Sequence, residues 1–272
     1  MSAPESWPTG RDAVRDAGGG EPEIHVFEDP DATARAAAAA IAEALAAAIA
    51  ERGIAHWATT GGSTPLAIYR ALVEAPLRDA VDWNAVHTWW GDDRYVPRDD
   101  PLSNVLFFDE VLVAGIPDAL QHAHPIPMAA AVSGARGTDW AASQYDRELH
   151  VGFTDVTYPA FPALDVVLVG MGGDGHVLSV FPGSPLFDAT EWAIAVPAPT
   201  HIEPHVARVS LNPGLLASAR LPMVVAHGAG KAAILASVLT GERDVRHLPA
   251  QVARRSGAQW FLDRAAASSL PK

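Results

Sequence analysis

The sequence predicts an α/β fold with a doubly wound, mostly parallel Rossmann-like sheet and helices on both faces. Short apolar runs alternate along the chain with longer segments of helical periodicity, which is the pattern of parallel strands joined by crossover helices. Residues 164–169 are almost all apolar, as expected for a strand that is covered on both faces. Loops rich in glycine or hydroxyl residues follow several of these runs, where open α/β sheets place their ligands.

Hydrophobic periodicity gives the order of the elements. Strands are predicted at 23–27, 54–59, 86–90, 164–169, 192–197, 206–211, 222–227 and 259–262. Helices are predicted at 31–52, where Gly53 supplies the stop, and at 65–74, 104–113, 139–150 and 231–239. Residues 1–22 are rich in glycine, proline and acidic residues and predict a disordered N-terminal tail, which leaves 23–272 as a single α/β domain.

Composition limits the classes of function. The formal net charge of −13 disfavours nucleic acid and anionic membranes as partners. The chain has no cysteine, which excludes disulfides, thiolate nucleophiles and cysteine-ligated metals. No apolar run approaches the length of a membrane span, and the N-terminus lacks the pattern of a secretory signal. We therefore expect a cytoplasmic protein, a monomer or small homo-oligomer, that acts on a small molecule.

The glycine-rich loop 170–176 directly follows the predicted strand 164–169 and is the most informative segment. Its glycines allow backbone N–H groups to approach a ligand closely, and it ends in Asp174 and His176. Histidine is the side chain whose ordinary pKa lies nearest neutrality, and an acid two residues earlier could orient it. The loop therefore favours acid–base catalysis, against the plainer alternative of a hydrogen-bonded structural histidine.

The same loop matches the dinucleotide-binding pattern G-x-G-x-x-G over residues 170–175. That pattern needs a helix directly after its third glycine, and Pro182 and Pro185 limit any such helix to about two turns. We therefore expect no nicotinamide or flavin cofactor. His122 and His124 could bind a metal if they lie on a strand, but they have no acidic partner nearby in sequence, so we expect no metal site.

Residues 58–65 form a second loop, which follows a strand and opens a helix. The free N–H groups of a helix start, its dipole and two hydroxyls make an anion site that is typical for phosphate, the alternative being an ordinary capped turn. Ser63 or Thr64 would serve as the N-cap, with Pro65 as the first helical residue. The candidate ligands in this loop are Gly61, Gly62, Ser63 and Thr64.

A third cluster of polar residues follows the predicted strand 86–90. Asp92 could hold sugar hydroxyls, Arg94 could grip a phosphate with its two-pronged guanidinium, and Asn104 closes the cluster. The plainer alternative is a solvated loop with an internal acid–arginine pair. Trp89 and Trp90 straddle the end of the strand, so we expect one of them to line the site.

Together and in this order, the three loops resemble the 6-phosphogluconolactonase family, whose superfamily includes glucosamine-6-phosphate isomerase/deaminase. The likeness runs from about residue 23 to the C-terminus and adds Arg208 and Lys231. The segment Ser-Val-Phe-Pro-Gly at 179–183 is similar to the lactonase branch, whereas the deaminase branch carries Asn-Glu-Pro there. The resemblance implies hydrolysis of 6-phospho-D-glucono-1,5-lactone to 6-phospho-D-gluconate, in the oxidative branch of the pentose phosphate pathway and without a cofactor.

The resemblance also implies roles for individual residues. His176 would take a proton from water as it attacks the lactone carbonyl, and Asp174 would fix its tautomer. Backbone N–H groups of 172–175 would stabilise the oxyanion. The remaining residues implied to bind substrate are Gly61, Gly62, Ser63, Thr64, Asp92, Arg94, Asn104, Gly172, Gly173, Arg208 and Lys231. Many members of the family have a Lys-Pro-Pro run before the arginine that matches Arg208; this chain lacks it, and His205 or Lys231 could supply the missing charge.

Two other functions remain open at this point. One is an amino-sugar phosphate isomerase/deaminase on the same fold, with Asp92 as the base that acts on carbon. The other is a sugar-phosphate sensor that has kept the pocket and lost turnover.

Overall fold

The computed structural model describes residues 20–156 and 160–271, which form a seven-stranded sheet and a separate three-stranded sheet. Most of the tail predicted to be disordered lies outside the described residues. The strands are β1 (Glu23–Phe27), β2 (Ala55–Thr59), β3 (Val86–Trp90), β4 (Asp92–Arg94), β5 (Ala123–His124), β6 (Val166–Val169), β7 (Ala193–Val196), β8 (Arg208–Leu211), β9 (Leu221–Ala226) and β10 (Gln259–Asp263).

Helices connect most of these strands. They are α1 (Pro30–Arg52), α2 (Ser63–Leu72), α3 (Met128–Ser133), α4 (Gly137–Gly152), α5 (Pro213–Ser218) and α6 (Ala232–Thr240). A π-helix spans Phe108–Val113, and short 3₁₀ turns lie at Arg78–Ala80, Trp83–Ala85, Pro117–Leu120, Pro185–Asp188, Ala229–Lys231, Pro249–Ala253 and Ala266–Ser269.

The large sheet is parallel throughout, with the order β1-β10-β9-β6-β2-β3-β5. The predicted α/β class and mostly parallel sheet are therefore confirmed. Successive strands run outward from β2 through β3 to β5, and in the opposite direction from β6 through β9 to β10. The chain order thus reverses between β2 and β6, and a ligand crevice is expected there, at the carboxyl ends of the two strands.

The small sheet was not predicted. Its order is β4-β8-β7 with antiparallel pairing, so two segments that were correctly predicted as strands belong to a different sheet. The register pairs Arg94 with Arg208 and Asp92 with Ser210, which places three polar residues of the site on one small ribbon. Strands β4 and β5 and helices α3 and α5 are two to six residues long, too short to show a hydrophobic period.

Helix α1 has the length and composition of a possible membrane span, so the expectation that no run approaches that length is wrong. One or two such helices are weak evidence, because a core helix passes the same test. The face of α1 that carries Ala37, Ile41 and Leu45 is fully buried, and the helix packs against α2, β2 and β10. We interpret it as a core helix.

Candidate active site

A cleft of about 160 Å³ lies at the carboxyl ends of β2 and β6, where the chain order reverses. All three predicted loops and the small sheet contribute to its wall. The lining residues are Thr60, Gly61, Thr64, Pro65, Asp92, Arg94, Asn104, Gly170, Met171, Gly172, His176, Leu178 and Arg208. Eight of the residues predicted from the sequence are therefore brought together. Gly62, Ser63, Gly173, Asp174, His205 and Lys231 are not part of the wall.

His176 lines the cleft and forms a close pair with Asp174. His176 Nδ1 lies 2.6 Å from Asp174 Oδ1, and the same oxygen accepts the His176 backbone N–H at 3.1 Å. Burial alone would raise the pKa of the Asp174 carboxyl, but the hydrogen bonds and charge of His176, with a bond from His201, hold it well below its ordinary value. A carboxylate only accepts hydrogen bonds, so the His176 proton sits on Nδ1 and Nε2 carries the free lone pair.

The glycine loop supplies fewer free donors than expected. The Gly172 N–H donates to the His176 carbonyl at 2.8 Å, and the Gly175 N–H donates to the Gly172 carbonyl at 3.2 Å. Two of the four N–H groups expected to stabilise an oxyanion, those of Gly172 and Gly175, therefore close the turn itself. Within the described chain, only the N–H groups of Gly173 and Asp174 have no intramolecular acceptor in this stretch. No helix directly follows Gly175 in the described chain, where the prolines were expected to allow one of about two turns at most.

Asp92 is the centre of a buried polar network in the wall of the cleft. Its carboxylate accepts hydrogen bonds from Ser179 Oγ at 2.6 Å, Asn104 Nδ2 at 3.1 Å and Thr60 Oγ1 at 3.3 Å. The Asp92 side chain is therefore held in one orientation by three neutral donors. It is not the solvated acidic residue that the plainer interpretation of this loop required.

Asn104 is positioned by the residue next to Asp92. Asp93 Oδ1 accepts the backbone N–H groups of Asn104 at 2.7 Å and Arg94 at 2.8 Å. Burial raises the pKa of Asp93 to about 7 even though these two bonds oppose the shift. Asn104 precedes the helical segment instead of starting it as predicted, and its buried Oδ1 has no partner among the described residues. A Cβ on Gly61 would lie 2.1 Å from that oxygen, which explains a glycine there.

Two arginines supply positive charge to the cleft. Arg94 Nη1 donates to the Leu102 carbonyl at 2.9 Å, and Arg208 Nη2 donates to the Pro204 carbonyl at 3.1 Å. In the parts of the chain that the structure describes, neither guanidinium forms an ion pair, and both Nε atoms are buried without a partner. Burial lowers the pKa of Arg208, partly opposed by Asp92. Desolvated, unpaired guanidinium groups favour an anionic ligand.

The start of helix α2 differs in detail from the prediction. Gly62, with a φ of 96°, is the N-cap residue, so neither Ser63 nor Thr64 caps the helix. Both hydroxyls belong to the first turn, and Thr64 Oγ1 lies 3.1 Å from His227 Nε2. His227 follows β9 directly and adds a second polar side chain to the predicted anion site.

Two candidates for the missing positive charge lie outside the wall of the cleft. His205 is exposed, and its Nδ1 donates to the Pro199 carbonyl at 2.7 Å. Lys231 is half-buried; burial lowers its pKa and the nearby Asp174 opposes that shift. Lys231 therefore interacts with the charge of Asp174.

Trp89, Trp90 and His124 lie outside the wall of the cleft. Trp89 and Trp90 are both fully buried, so the expectation that one lines the site is wrong. His124 does lie on a strand and does have an acidic partner, Glu148, at 2.8 Å. Across residues 20–156 and 160–271, however, no group of three or more histidine, aspartate and glutamate side chains is placed to hold a metal ion.

Sequence reasoning missed His201 and His227, which contact Asp174 and Thr64. Neither lies in a motif with recognisable spacing. The sole signal was that each lies at or just after the end of a predicted strand.

The chain is similar to known proteins of one family. A family model described as glucosamine-6-phosphate isomerases/6-phosphogluconolactonase matches residues 28–262. The 6-phosphogluconolactonase of Streptomyces coelicolor is 34% identical over 253 residues, which cover 92% of this chain and 95% of the relative. That of a Synechocystis species is 34% identical over 229 residues, 82% of this chain and 88% of the relative.

Solved structures give the same result. The 6-phosphogluconolactonase from Trypanosoma cruzi superposes with a TM-score of 0.80 at 26% identity and covers 93% of this chain and 98% of its own. A monomeric glucosamine-6-phosphate deaminase of the NagB superfamily, 18% identical with a TM-score of 0.72, shares the fold. The family predicted from the three loops is confirmed: the chain belongs to the glucosamine-6-phosphate isomerase/6-phosphogluconolactonase family.

Proposed function

We propose that the protein hydrolyses 6-phospho-D-glucono-1,5-lactone to 6-phospho-D-gluconate. The observation that carries the proposal is the placement of the His176–Asp174 pair and two unpaired guanidinium groups around one cleft. His176, Arg94 and Arg208 all line this cleft, so a base and an anion site together match a substrate with an activated ester and a phosphate. The relatives at 34% identity bear the name of this enzyme.

The His176 imidazole acts first as a general base. Its Nε2 lone pair takes a proton from a water molecule, and the water oxygen attacks the C1 carbonyl of the lactone. The C1–O bond of the ring then breaks as the imidazolium returns the proton to the departing ring oxygen. Asp174 keeps the reactive tautomer and stabilises the imidazolium. Acid–base catalysis of this kind contributes roughly 10²–10⁴-fold to the rate.

The oxyanion that forms on the carbonyl needs donors close to His176. The N–H groups of Gly173 and Asp174 are proposed for this role, since those of Gly172 and Gly175 are already used. Gly172 has a different role: because it has no side chain, it leaves room for the side chains of His176 and Asp174.

The phosphate is proposed to lie between the two arginines and the start of helix α2. Arg94 and Arg208 supply charge, while the first turn supplies N–H groups and the hydroxyls of Ser63 and Thr64. Gly61 and Gly62 allow the ligand to approach the backbone. Asp92 and the unpartnered Asn104 Oδ1 accept sugar hydroxyl groups. Lys231 supplies additional charge near Asp174, whereas the exposed position of His205 gives it at most a role at the rim.

The composition supports the remaining parts of the proposal. A net charge of −13 and the absence of cysteine favour a cytoplasmic enzyme that binds neither nucleic acid nor membranes. We propose that it acts as a monomer or small homo-oligomer.

The test is acid release from freshly prepared lactone, measured against a buffer blank because the lactone opens spontaneously. Wild type should release acid well above the blank, and His176→Ala should lose that excess by about 100-fold or more. Release equal to the blank in wild type would refute the lactonase proposal; ammonia release from glucosamine 6-phosphate would then indicate the deaminase. Fast release that survives in His176→Ala would keep the function and refute the mechanism.

A further inference from the structure

We infer that His201 is a positioning residue for the His176–Asp174 pair, an inference that rests on the proposed function. His201 lies between β7 and β8, outside the cleft wall, and its side chain is about half exposed. Its Nε2 lies 3.2 Å from Asp174 Oδ2. The Asp174 carboxylate therefore bridges two imidazoles, one on each oxygen.

The bridge fixes the orientation of the Asp174 carboxylate. Oδ1 binds His176 and Oδ2 binds His201, so a rotation of the carboxylate would break both bonds. Among the described residues, Asp174 has no ion pair with an arginine or lysine within 4.0 Å, and His201 is the sole partner of Oδ2. His201 must carry its proton on Nε2, because a carboxylate cannot donate.

Phe181 provides a second connection between the two histidines. Its ring centre lies 4.7 Å from that of His176 and 5.5 Å from that of His201, which meets it edge to face. The guanidinium of Arg208 lies 5.3 Å from the same ring. His201 is therefore held in place by its contact with Phe181 as well as by its hydrogen bond.

The predicted consequence concerns turnover more than substrate binding. Without the His201 donor, Asp174 Oδ2 loses its partner and the carboxylate can turn away from His176. The His176 tautomer is then less strictly fixed. Since His201 does not line the cleft, contacts to the substrate stay the same.

The test compares His201→Leu, which keeps bulk but removes the donor, with His201→Gln, whose amide can still donate to Asp174. His201→Leu should lower kcat about five- to twenty-fold, less than for a buried hydrogen bond to a charged group because His201 is half exposed, with KM changed less than about twofold. His201→Gln should restore kcat to within about threefold of wild type. His247→Leu is the matched control, because His247 forms a comparable pair with Asp244 at the surface.

Three results would overturn the inference: an unchanged kcat in His201→Leu, an equal loss in His201→Gln, or a loss confined to KM. Imidazole ¹⁵N NMR provides a readout that needs no substrate, with the His176 signals assigned by their absence in His176→Ala. Wild type should show the Nδ1–H tautomer, and His201→Leu a mixture of the two. An inactive wild type would refute the proposed function alone, and the tautomer in the two variants would still decide the role of His201.

Discussion

Gly172 lies so close to His176 that a Cβ on this glycine would come within 2.0 Å of His176 Nδ1. The same Cβ would lie 2.6 Å from Asp174 Oδ1. The hydrogen-bonded pair therefore occupies the space that any side chain at 172 would need. The glycine is required here for close approach, since Gly172 is not among the residues with a positive φ.

Gly172→Ala is expected to disable the proposed catalytic pair with little effect on folding. The new methyl group would push the imidazole away from Asp174, and misplacement of a base by about 1 Å can cost on the order of 100-fold in rate. Steady-state kinetics on the lactone should show the loss mainly in kcat. Gly230→Ala is the control, because a Cβ at Gly230 meets nothing within 4 Å. Normal activity in Gly172→Ala would contradict the assigned geometry.

Arg208→Lys is expected to weaken substrate binding although the charge is retained. Arg208 is buried, it is fixed by the Pro204 carbonyl and Phe181, and its Nε points into protein without a partner. A lysine cannot reproduce the two-pronged donor, and one lost hydrogen bond to a phosphate is worth about 1.5–3 kcal/mol, or roughly ten- to a hundred-fold in KM. The exposed Arg78→Lys should leave KM unchanged. An unaltered KM in Arg208→Lys would remove Arg208 from the phosphate site.

Compared with wild type, the Asp93→Asn variant is expected to become more stable as the pH rises. Burial raises the Asp93 pKa to about 7, above its unfolded value, so its contribution to stability is present at low pH and lost as the pH rises through about 7. Asparagine does not ionise, and its Oδ1 can still accept the N–H groups of Arg94 and Asn104.

Urea unfolding of the Asp93→Asn variant and wild type at pH 5 and pH 8 provides the measurement. The free energy of unfolding of the variant minus that of wild type should increase by on the order of 1–4 kcal/mol from pH 5 to pH 8. The same difference at both pH values would show that Asp93 is ionised throughout. Asp79→Asn, at an exposed site, should show no such gain at high pH.

His56→Asn is expected to protect the fold from acid. Burial, together with His87 and His124, lowers the His56 pKa to about 3, and burial also lowers that of His87 to about 4. These imidazoles stay neutral in the native state but take up protons when unfolded. The stability that these two neutral imidazoles contribute to the fold is therefore fully present above about pH 6.5. It is lost as the pH falls from there toward 3–4.

Thermal unfolding between pH 7 and pH 4 tests this expectation. Asparagine keeps an acceptor for the Trp89 indole N–H, which bonds His56 Nδ1 at 3.1 Å, and removes one titrating group. The decrease in Tm on acidification should be smaller in His56→Asn than in wild type. His247→Asn, at an exposed position, should follow wild type, and an equal decrease in His56→Asn would indicate that other groups govern acid unfolding.

The sequence by itself determined the features that depend on local pattern. Strand β3 was predicted at its observed bounds, Val86–Trp90, and helix α1 to within one residue at its start. Seven of the cleft residues in the three loops could also be identified from the sequence, because loops that follow parallel strands converge at one edge of a sheet. The pairing of Asp174 with His176 was predictable because they are two residues apart.

Only the tertiary structure decided which distant side chains meet. Asp92 and Ser179 are 87 residues apart, Thr64 and His227 are 163 apart, and each pair is joined by a hydrogen bond. The second partner of Asp174, His201, is 27 residues away in a loop without periodicity. Such contacts depend on how strands are ordered and how loops pack across the sheet, and local hydrophobic periodicity specifies neither. The folded backbone likewise decided that the N–H groups of Gly172 and Gly175 form hydrogen bonds within the glycine-rich loop.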